Sequence, residues 1–198
     1  MPHSSEPAIA RDISTWAAFL SYLIPGLGQI YQGRISKGLL FLVSIYTLFF
    51  YGQALGSGTV VQDGKEVHVS SNVYLPDTAE KSSSWRLVTN LYNRPQFLGQ
   101  FWVGIAAWPA VWQYVTFDER KEGDPLLGTF QRTPRESVLN QLQNEDDKKW
   151  DLGWVFTVIA GVLNIMVIYD ALAGPAFNSP TGPRRETEVS HGDAIASA

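Results

Sequence analysis

The chain has 198 residues, 45% of them hydrophobic, with 19 acidic against 15 basic side chains and a formal net charge of −4. That balance argues against the clustered basic surface a nucleic-acid partner would require. The absence of cysteine excludes disulfides, thiolate metal sites and cysteine nucleophiles.

Mean hydropathy, −0.06, is that of a soluble protein, but the average conceals a segregation. Four stretches carry no charged residue at all: positions 13–33, 38–62, 95–117 and 152–169. A helix needs roughly 20 mostly apolar residues to cross a hydrocarbon core of about 30 Å, since it rises about 1.5 Å per residue. The pattern therefore predicts an all-α membrane protein with about four transmembrane helices. Buried helices of a soluble domain would show an amphipathic polar face, which these stretches lack.

In chain order, residues 1–12 form a polar tail without the basic region of a cleaved signal peptide. Residues 13–55 read as a transmembrane hairpin. Its first segment is interrupted by Pro25, Gly26 and Gly28, so its second half is expected to kink or unwind. The short Gln32–Gly38 turn then sends the second segment straight back. Residues 56–95 are a polar loop in which Asp63-Gly64, flanked by β-branched residues between Thr59 and Val69, predicts a small β-hairpin; the alternative is an unstructured loop. Residues 96–117 are the third span, with Trp102 at one interface, Trp112 and Tyr114 at the other, and a proline kink at Trp108-Pro109. In the polar loop 118–151, Thr133-Pro134-Arg135-Glu136 resembles a capping box opening a short amphipathic helix, with Val138, Leu139 and Leu142 on one face. Residues 152–174 are the fourth span, and 175–198 a breaker-rich, disordered tail. With four crossings, the Arg34/Lys37 turn and the 118–151 loop share a face. Their denser Lys and Arg place that face inside and the termini outside.

The segment Pro25-Gly26-Leu27-Gly28-Gln29-Ile30-Tyr31-Gln32-Gly33-Arg34-Ile35-Ser36-Lys37-Gly38 resembles the signature of the two-transmembrane ("TM-two") hairpin domain over about residues 16–55. It lacks the Asp-Arg-Phe triplet found in the turn of some members. The stretch from Phe156 to Ala171 is similar to uncharacterised bacterial four-span inner-membrane proteins that combine such a hairpin with two further spans. The resemblance implies a topology and a bacterial inner-membrane location, but no reaction. Physically, Gly26, Gly28, Gly33 and Gly38 allow backbones to approach closely. Gln29, Tyr31 and Gln32 can offer donors to carbonyls freed by a kink, and Arg34 and Lys37 can reach anionic headgroups.

Among polar residues within the spans, Gln100, Gln113, Asn164 and Asp170 stand out. An ionisable group inside a membrane is a functional candidate by default. Asp170, however, sits five residues before Pro175 and reads first as a helix-end residue reaching headgroup water. Asn164 is deep enough to make an inter-helix hydrogen bond. The three histidines (His3, His68 and His191) stand far apart, no His-Glu-x-x-His, Gly-x-Ser-x-Gly or phosphate-binding loop is present, and no cofactor or metal is implied. The expected protein is thus no enzyme but a structural or accessory component of a membrane assembly. Its partners would be the lipid bilayer and other membrane proteins or copies of itself. The competing expectation is a small oligomeric transporter or channel using the broken first span and Asp170.

Overall fold

The computed structural model describes residues 14–62, 64–69, 72–76, 84–116, 127–144 and 148–174; the expected polar tail 1–12 and disordered tail 175–198 lie outside the described residues. Helix α1 (Thr15–Leu23) is opened by Ser14, whose hydroxyl accepts from the Ala17 amide at 3.4 Å. It stops because Pro25 disfavours helical backbone at Ile24, which is extended (φ −136°, ψ 120°). Gly26, at φ 83°, makes the bend that an L side chain would resist, and α2 (Leu27–Tyr31) runs back from it. Helix α3 (Ile35–Leu55) follows. Then come the antiparallel strands β1 (Gly58–Gln62) and β2 (Lys65–Val69), with Thr59 opposite His68 and Val61 opposite Glu66. This is the hairpin expected around Asp63-Gly64. Gly64 has φ 74°, as such a turn requires, while Asp63 lies outside the described residues.

Helices α4 (Arg86–Asn93) and α5 (Gln96–Phe101) are separated by Pro95. A 3-10 turn (Ile105–Ala107) leads into α6 (Trp108–Thr116), after Gly104 at φ 87° and ψ −137°. Helix α7 (Glu136–Asn144) and α8 (Lys149–Ala173) complete the chain. The Thr133 hydroxyl donates to the Leu75 carbonyl at 2.7 Å, and the Arg135 carbonyl takes the amides of Val138 and Leu139 in the first turn of α7.

Four straight spans are not what forms. Among the described residues only α3 and α8 are long and apolar enough to cross a membrane. They pack together and run antiparallel, with Lys37 beside Asp170 at one end and Gly52 against Gly153 at the other. The first apolar stretch goes in and comes back. The Ser14 amide donates to Leu172 O (3.3 Å) and the Gln32 side chain to Ala171 O (2.7 Å), so both ends of the stretch lie at the C-terminal end of α8. The third stretch does the same from the opposite end. It runs along α8 from Arg94, bonded to Asn72, through Gln100 at Thr157 (2.8 Å), to Trp102, whose carbonyl accepts from Asn164 (2.8 Å). It then returns, so that the Tyr114 hydroxyl accepts from Asn90 of α4 at 3.0 Å. The physical reason is the same in both: a glycine with positive φ and a proline within a few residues break a stretch that composition alone would let run straight.

Two further expectations fall with the straight spans. The 56–95 and 118–151 loops do not lie on opposite faces: Val60, Val69 and Tyr74 pack with Val138 and Trp150 into one small cluster. The Arg34/Lys37 turn instead shares its end with residues 14 and 172, where the chain enters and leaves the bundle. Trp102 sits at the tip of the third stretch, its ring 5.9 Å from that of Tyr22.

The bundle is polar within and apolar without. Ser21, Gln29, Gln100, Thr157 and Asn164 are fully buried alongside Phe49, Val103 and Ala160. Large apolar side chains face outward along both long helices, among them Leu40 and Val43 on α3 and Met166 and Tyr169 on α8. Small residues sit where elements cross: a side-chain carbon on Gly161 would collide with the Gly99 carbonyl, and one on Gly52 would come within 2.8 Å of the Gly153 oxygen.

Candidate functional site

The densest polar constellation forms where α2, the α2–α3 turn and the last turn of α8 meet. Asp170 receives the Arg34 guanidinium at 2.6 Å on one oxygen and the Lys37 ammonium at 2.7 Å on the other, with Gln29 Nε2 adding a third donor at 3.1 Å. The helical frame brings them together. Arg34 and Lys37 flank the start of α3, while Gln29 is fully buried on α2 and also donates to Val167 O at 2.8 Å. Gln32 bonds the Ala171 carbonyl and accepts from Arg34 at 3.2 Å, so the turn is held both to α8 and to itself. The oxygen of Gln29 accepts from Ser21 (3.0 Å), whose hydroxyl also takes the Gly28 amide (3.1 Å).

The sequence-derived motif therefore converges on Asp170, which is neither an isolated buried carboxylate nor one paired only with water. Gln29 and Gln32 supply donors as expected, but to carbonyls of α8 and not to those of the kinked stretch. Tyr31 and Gly33 face outward and take no part. Pro25, Gly26 and Gly28 shape the bend: a side-chain carbon on Gly26 would strike Gly38, and one on Gly28 would strike the Ala17 carbonyl. The Asp170 side chain keeps 27% exposure, Arg34 18% and Lys37 42%, so the group lies at an edge of the bundle. With two cations against one anion it carries an excess positive charge, and Lys37 also lies 5.5 Å from the Phe41 ring.

A second polar centre joins the tips of the two broken stretches. Asn164 donates one amide hydrogen to Ser21 O (3.2 Å) and the other to Trp102 O (2.8 Å), one from each stretch. Around it Tyr22 packs against Phe101 and Trp102, and its hydroxyl lies 3.4 Å from Trp108 Nε1. Asn164 thus makes the inter-element bond expected of it, to two backbones at once. Its own oxygen, and that of Gln100, are buried without a hydrogen-bond partner among the described residues.

A third polar junction pins the loops to the bundle. Asn72 inserts its side chain between Gly52, Gly56 and Gly153. Its carbonyl accepts from Arg94 at 2.5 Å, and the Arg94 guanidinium lies 3.6 Å from the centre of the Tyr74 ring. Burial pulls the Arg94 pKa below its ordinary value, with Tyr74 acting against that. Gln131, at φ 53°, reaches in from the second loop to accept from the Ala110 amide (3.0 Å) and donate to Ala106 O (2.7 Å), and so caps the start of α6. Gln113 anchors the same loop through the carbonyls of Gly128 and Phe130. Sequence reasoning passed over Ser21, Asn72, Thr157 and Gln131. Thr157 alone had a legible signal, lying seven residues before Asn164 on the same face of α8.

Among the described residues no group of three or more acidic, histidine or cysteine side chains could hold a metal ion. The fold and its junctions define a mainly helical protein with a small two-stranded sheet and two helices of membrane-spanning length and composition. The chain belongs to a family of unknown function, DUF6677, whose family model matches residues 16–184. No curated protein and no solved structure matches it. Nothing in these comparisons bears on the TM-two resemblance.

Proposed function

We propose that this is an integral membrane protein, of the bacterial inner membrane by its resemblance, acting as a non-catalytic structural or accessory component of a membrane assembly. In this reading α3 and α8 cross the bilayer, and the two broken stretches are re-entrant hairpins entering from opposite faces to meet at Asn164. The observation that carries it is the inverted polarity of the bundle. Only about a third of the apolar window of either long helix is buried (28% and 33%), where the core helix of a soluble domain would be mostly covered. Large apolar side chains outside and hydrogen-bonded amides inside suit a hydrocarbon solvent. Irregular backbone at Gly26 and Gly104 is acceptable at that depth because other elements of the bundle cover it. The accessory role rests on Asp170. Its carboxylate is already satisfied by two cations and an amide of its own chain, which suits a clasp better than a transport site. The packed loops at the other end then form the face available to other proteins.

Single cysteines at Ser36, Ser84 and Ser137, probed with an impermeant thiol reagent before and after permeabilisation, test the topology. Two crossings place Ser84 and Ser137 together and Ser36 opposite. Four straight crossings would pair Ser36 with Ser137, and a soluble protein inside the cell would label at none of the three before permeabilisation and at all three after it. Co-purification of a stoichiometric membrane partner in mild detergent tests the role.

One observation favours a second reading. The unpartnered oxygens of Gln100 on α5 and Asn164 on α8 are both buried in the bundle interior, as a path for small polar solutes between two re-entrant hairpins would have them. Solute flux in proteoliposomes that an Asn164→Leu substitution abolishes would move the balance to that reading.

A further inference from the structure

The middle of the bundle holds an excess of oxygen. Asn164 spends both amide hydrogens, on Ser21 O at 3.2 Å and Trp102 O at 2.8 Å. Gln100 spends its own on Thr157 Oγ1 at 2.8 Å and Asn72 O at 3.5 Å. Turning either amide over would set its oxygen against those carbonyls, so the bonds fix which end is which. The oxygens left over, Asn164 Oδ1 and Gln100 Oε1, are buried and have no hydrogen-bond partner among the described residues. Gln100 lies at the level of Thr157 on α8, and Gly161 stands between Thr157 and Asn164 on the same face. The Gly99 carbonyl is packed on Gly161, so a third oxygen sits between the levels of the two amides.

The helix ends add to this. Helices α1 and α5 enter from opposite ends of the bundle and both stop here, α1 at Leu23 and α5 at Phe101. Each presents its C-terminal end, which is the negative end of a helix. The bend after α1 turns the Ile24 amide to Leu20 O and the Leu27 amide to Ile24 O, which leaves Tyr22 O without either. Gly104 of the other stretch packs directly on that Tyr22 carbonyl. The described elements at this depth come from the four charge-free stretches, so the nearest described charges lie at the two ends of the bundle, Asp170 with Arg34 and Lys37 at one and Arg94 at the other. A cation can answer several oxygens and two helix ends from one point. Neutral oxygens suit a single charge, as in filters lined by carbonyls, whereas divalent ions are held with the help of carboxylates.

We propose that the junction of the two broken stretches binds a monovalent alkali cation, held by the free oxygens of Asn164 and Gln100 together with backbone carbonyls of the tips. Broken helices bind such ions through the same two devices, freed carbonyls and C-terminal helix ends. The ion ties the tips together whichever role the protein has, so the site goes beyond both readings of function.

The test uses the full chain purified in a non-ionic detergent and exchanged into N-methylglucamine chloride. Sodium, potassium or lithium chloride then replaces that salt at constant ionic strength, with melting temperature and retention of radioactive sodium or rubidium as readouts. At least one alkali ion should raise the melting temperature saturably, and magnesium at matched ionic strength should not. Gln100→Met removes one of the oxygens and strands no other group, because Thr157 keeps the carbonyls of Gly153 and Trp154 and Asn72 O keeps Arg94. Without alkali ions this variant should melt at or above the wild type, having lost a buried unpaired oxygen. With them the wild type should gain, and the variant should bind at least tenfold more weakly. A merely structural role of Gln100 gives the same offset in both salts. Melting that does not distinguish alkali ions from N-methylglucamine, with no ion retained, overturns the proposal. An equal response in wild type and Gln100→Met overturns it too, since the ion then sits elsewhere. These readouts are taken in detergent, so they stand or fall apart from the cysteine labelling and the flux measurement.

Discussion

Substituting Asp170 by Asn removes one charge and leaves the shape of the side chain in place. The wild-type carboxylate accepts from Arg34 at 2.6 Å, from Lys37 at 2.7 Å and from Gln29 at 3.1 Å. Hydrogen bonds to charged groups contribute about 1.5–3 kcal/mol each when buried, whereas exposed ion pairs contribute about 0.2–1 kcal/mol. The Asp170 side chain is 27% exposed and that of Lys37 42%, so the Lys37 pair belongs near the lower range. Arg34, at 18%, lies closer to the upper. The amide oxygen of Asn can still accept one neutral bond, and the two freed cations can reach water or headgroups. The net loss is therefore expected at about 2 kcal/mol, a fall in melting temperature of about 4–8 °C for a chain of this length. Thermal unfolding in detergent at low salt measures it, and a cycle with Arg34→Gln isolates the pair. Arg34→Gln combined with Asp170→Asn should be little worse than Asp170→Asn alone, since both remove the same contact. Strict additivity of the two, or an Asp170→Asn protein that melts with the wild type, would refute the clasp.

Three further substitutions follow, two that probe the tips and one, at Gly33, as a control. Gly104→Ala places a methyl group against the Tyr22 carbonyl at φ 87°; adding a backbone cost of about 1–2 kcal/mol to overpacking of about 1–3 kcal/mol, it should markedly reduce the yield of folded protein. Gly33→Ala, at φ 79° with nothing within 4 Å, should show only the backbone part, and equal losses at both positions would argue against a close approach of the two stretches. Asn164→Leu keeps the branching of the side chain but adds bulk at a fully buried position; it leaves the carbonyls of Ser21 and Trp102 unpaired, which alone should cost about 1–3 kcal/mol. Cysteines introduced at Tyr22 and Trp102 should then lose their ready cross-linking if Asn164 holds the tips together.

Much of the clasp was legible in the sequence, one half at a time. Pro25, Gly26 and Gly28 announced a break, Arg34 and Lys37 announced an interface, and Asp170 stood out as a carboxylate in an apolar run. That they meet was not legible, because it depends on a register between segments more than 130 residues apart, which no local pattern encodes. The β-hairpin was legible because Asp-Gly between β-branched residues is a local turn signal. Asn72 and Gln131 were not. Both sit in polar loops where an amide is unremarkable, and only their insertion beside Gly153 or Ala110 gives them work.

The difference between the four straight stretches expected and the two long apolar helices found has one physical cause. Hydropathy over a window of about 20 residues measures the free energy of placing those residues in hydrocarbon, and says nothing of the direction in which they travel. Positions 13–33 and 95–117 pass that test whether they run straight or double back. What decides is the backbone at two glycines, and the cost of doubling back is set by the amides and carbonyls it exposes. Here those groups find partners: Gly28 N on Ser21, the carbonyls of Ser21 and Trp102 on Asn164, Ala110 N and Ala106 O on Gln131. Each partner is an uncharged polar side chain, which hydropathy counts only as a small penalty. A stretch with a glycine–proline break, facing an Asn or Gln elsewhere in the chain that is otherwise hard to place, is thus better read as re-entrant than as a span. Asn164 bonding one carbonyl in each broken stretch is the observation on which that reading stands.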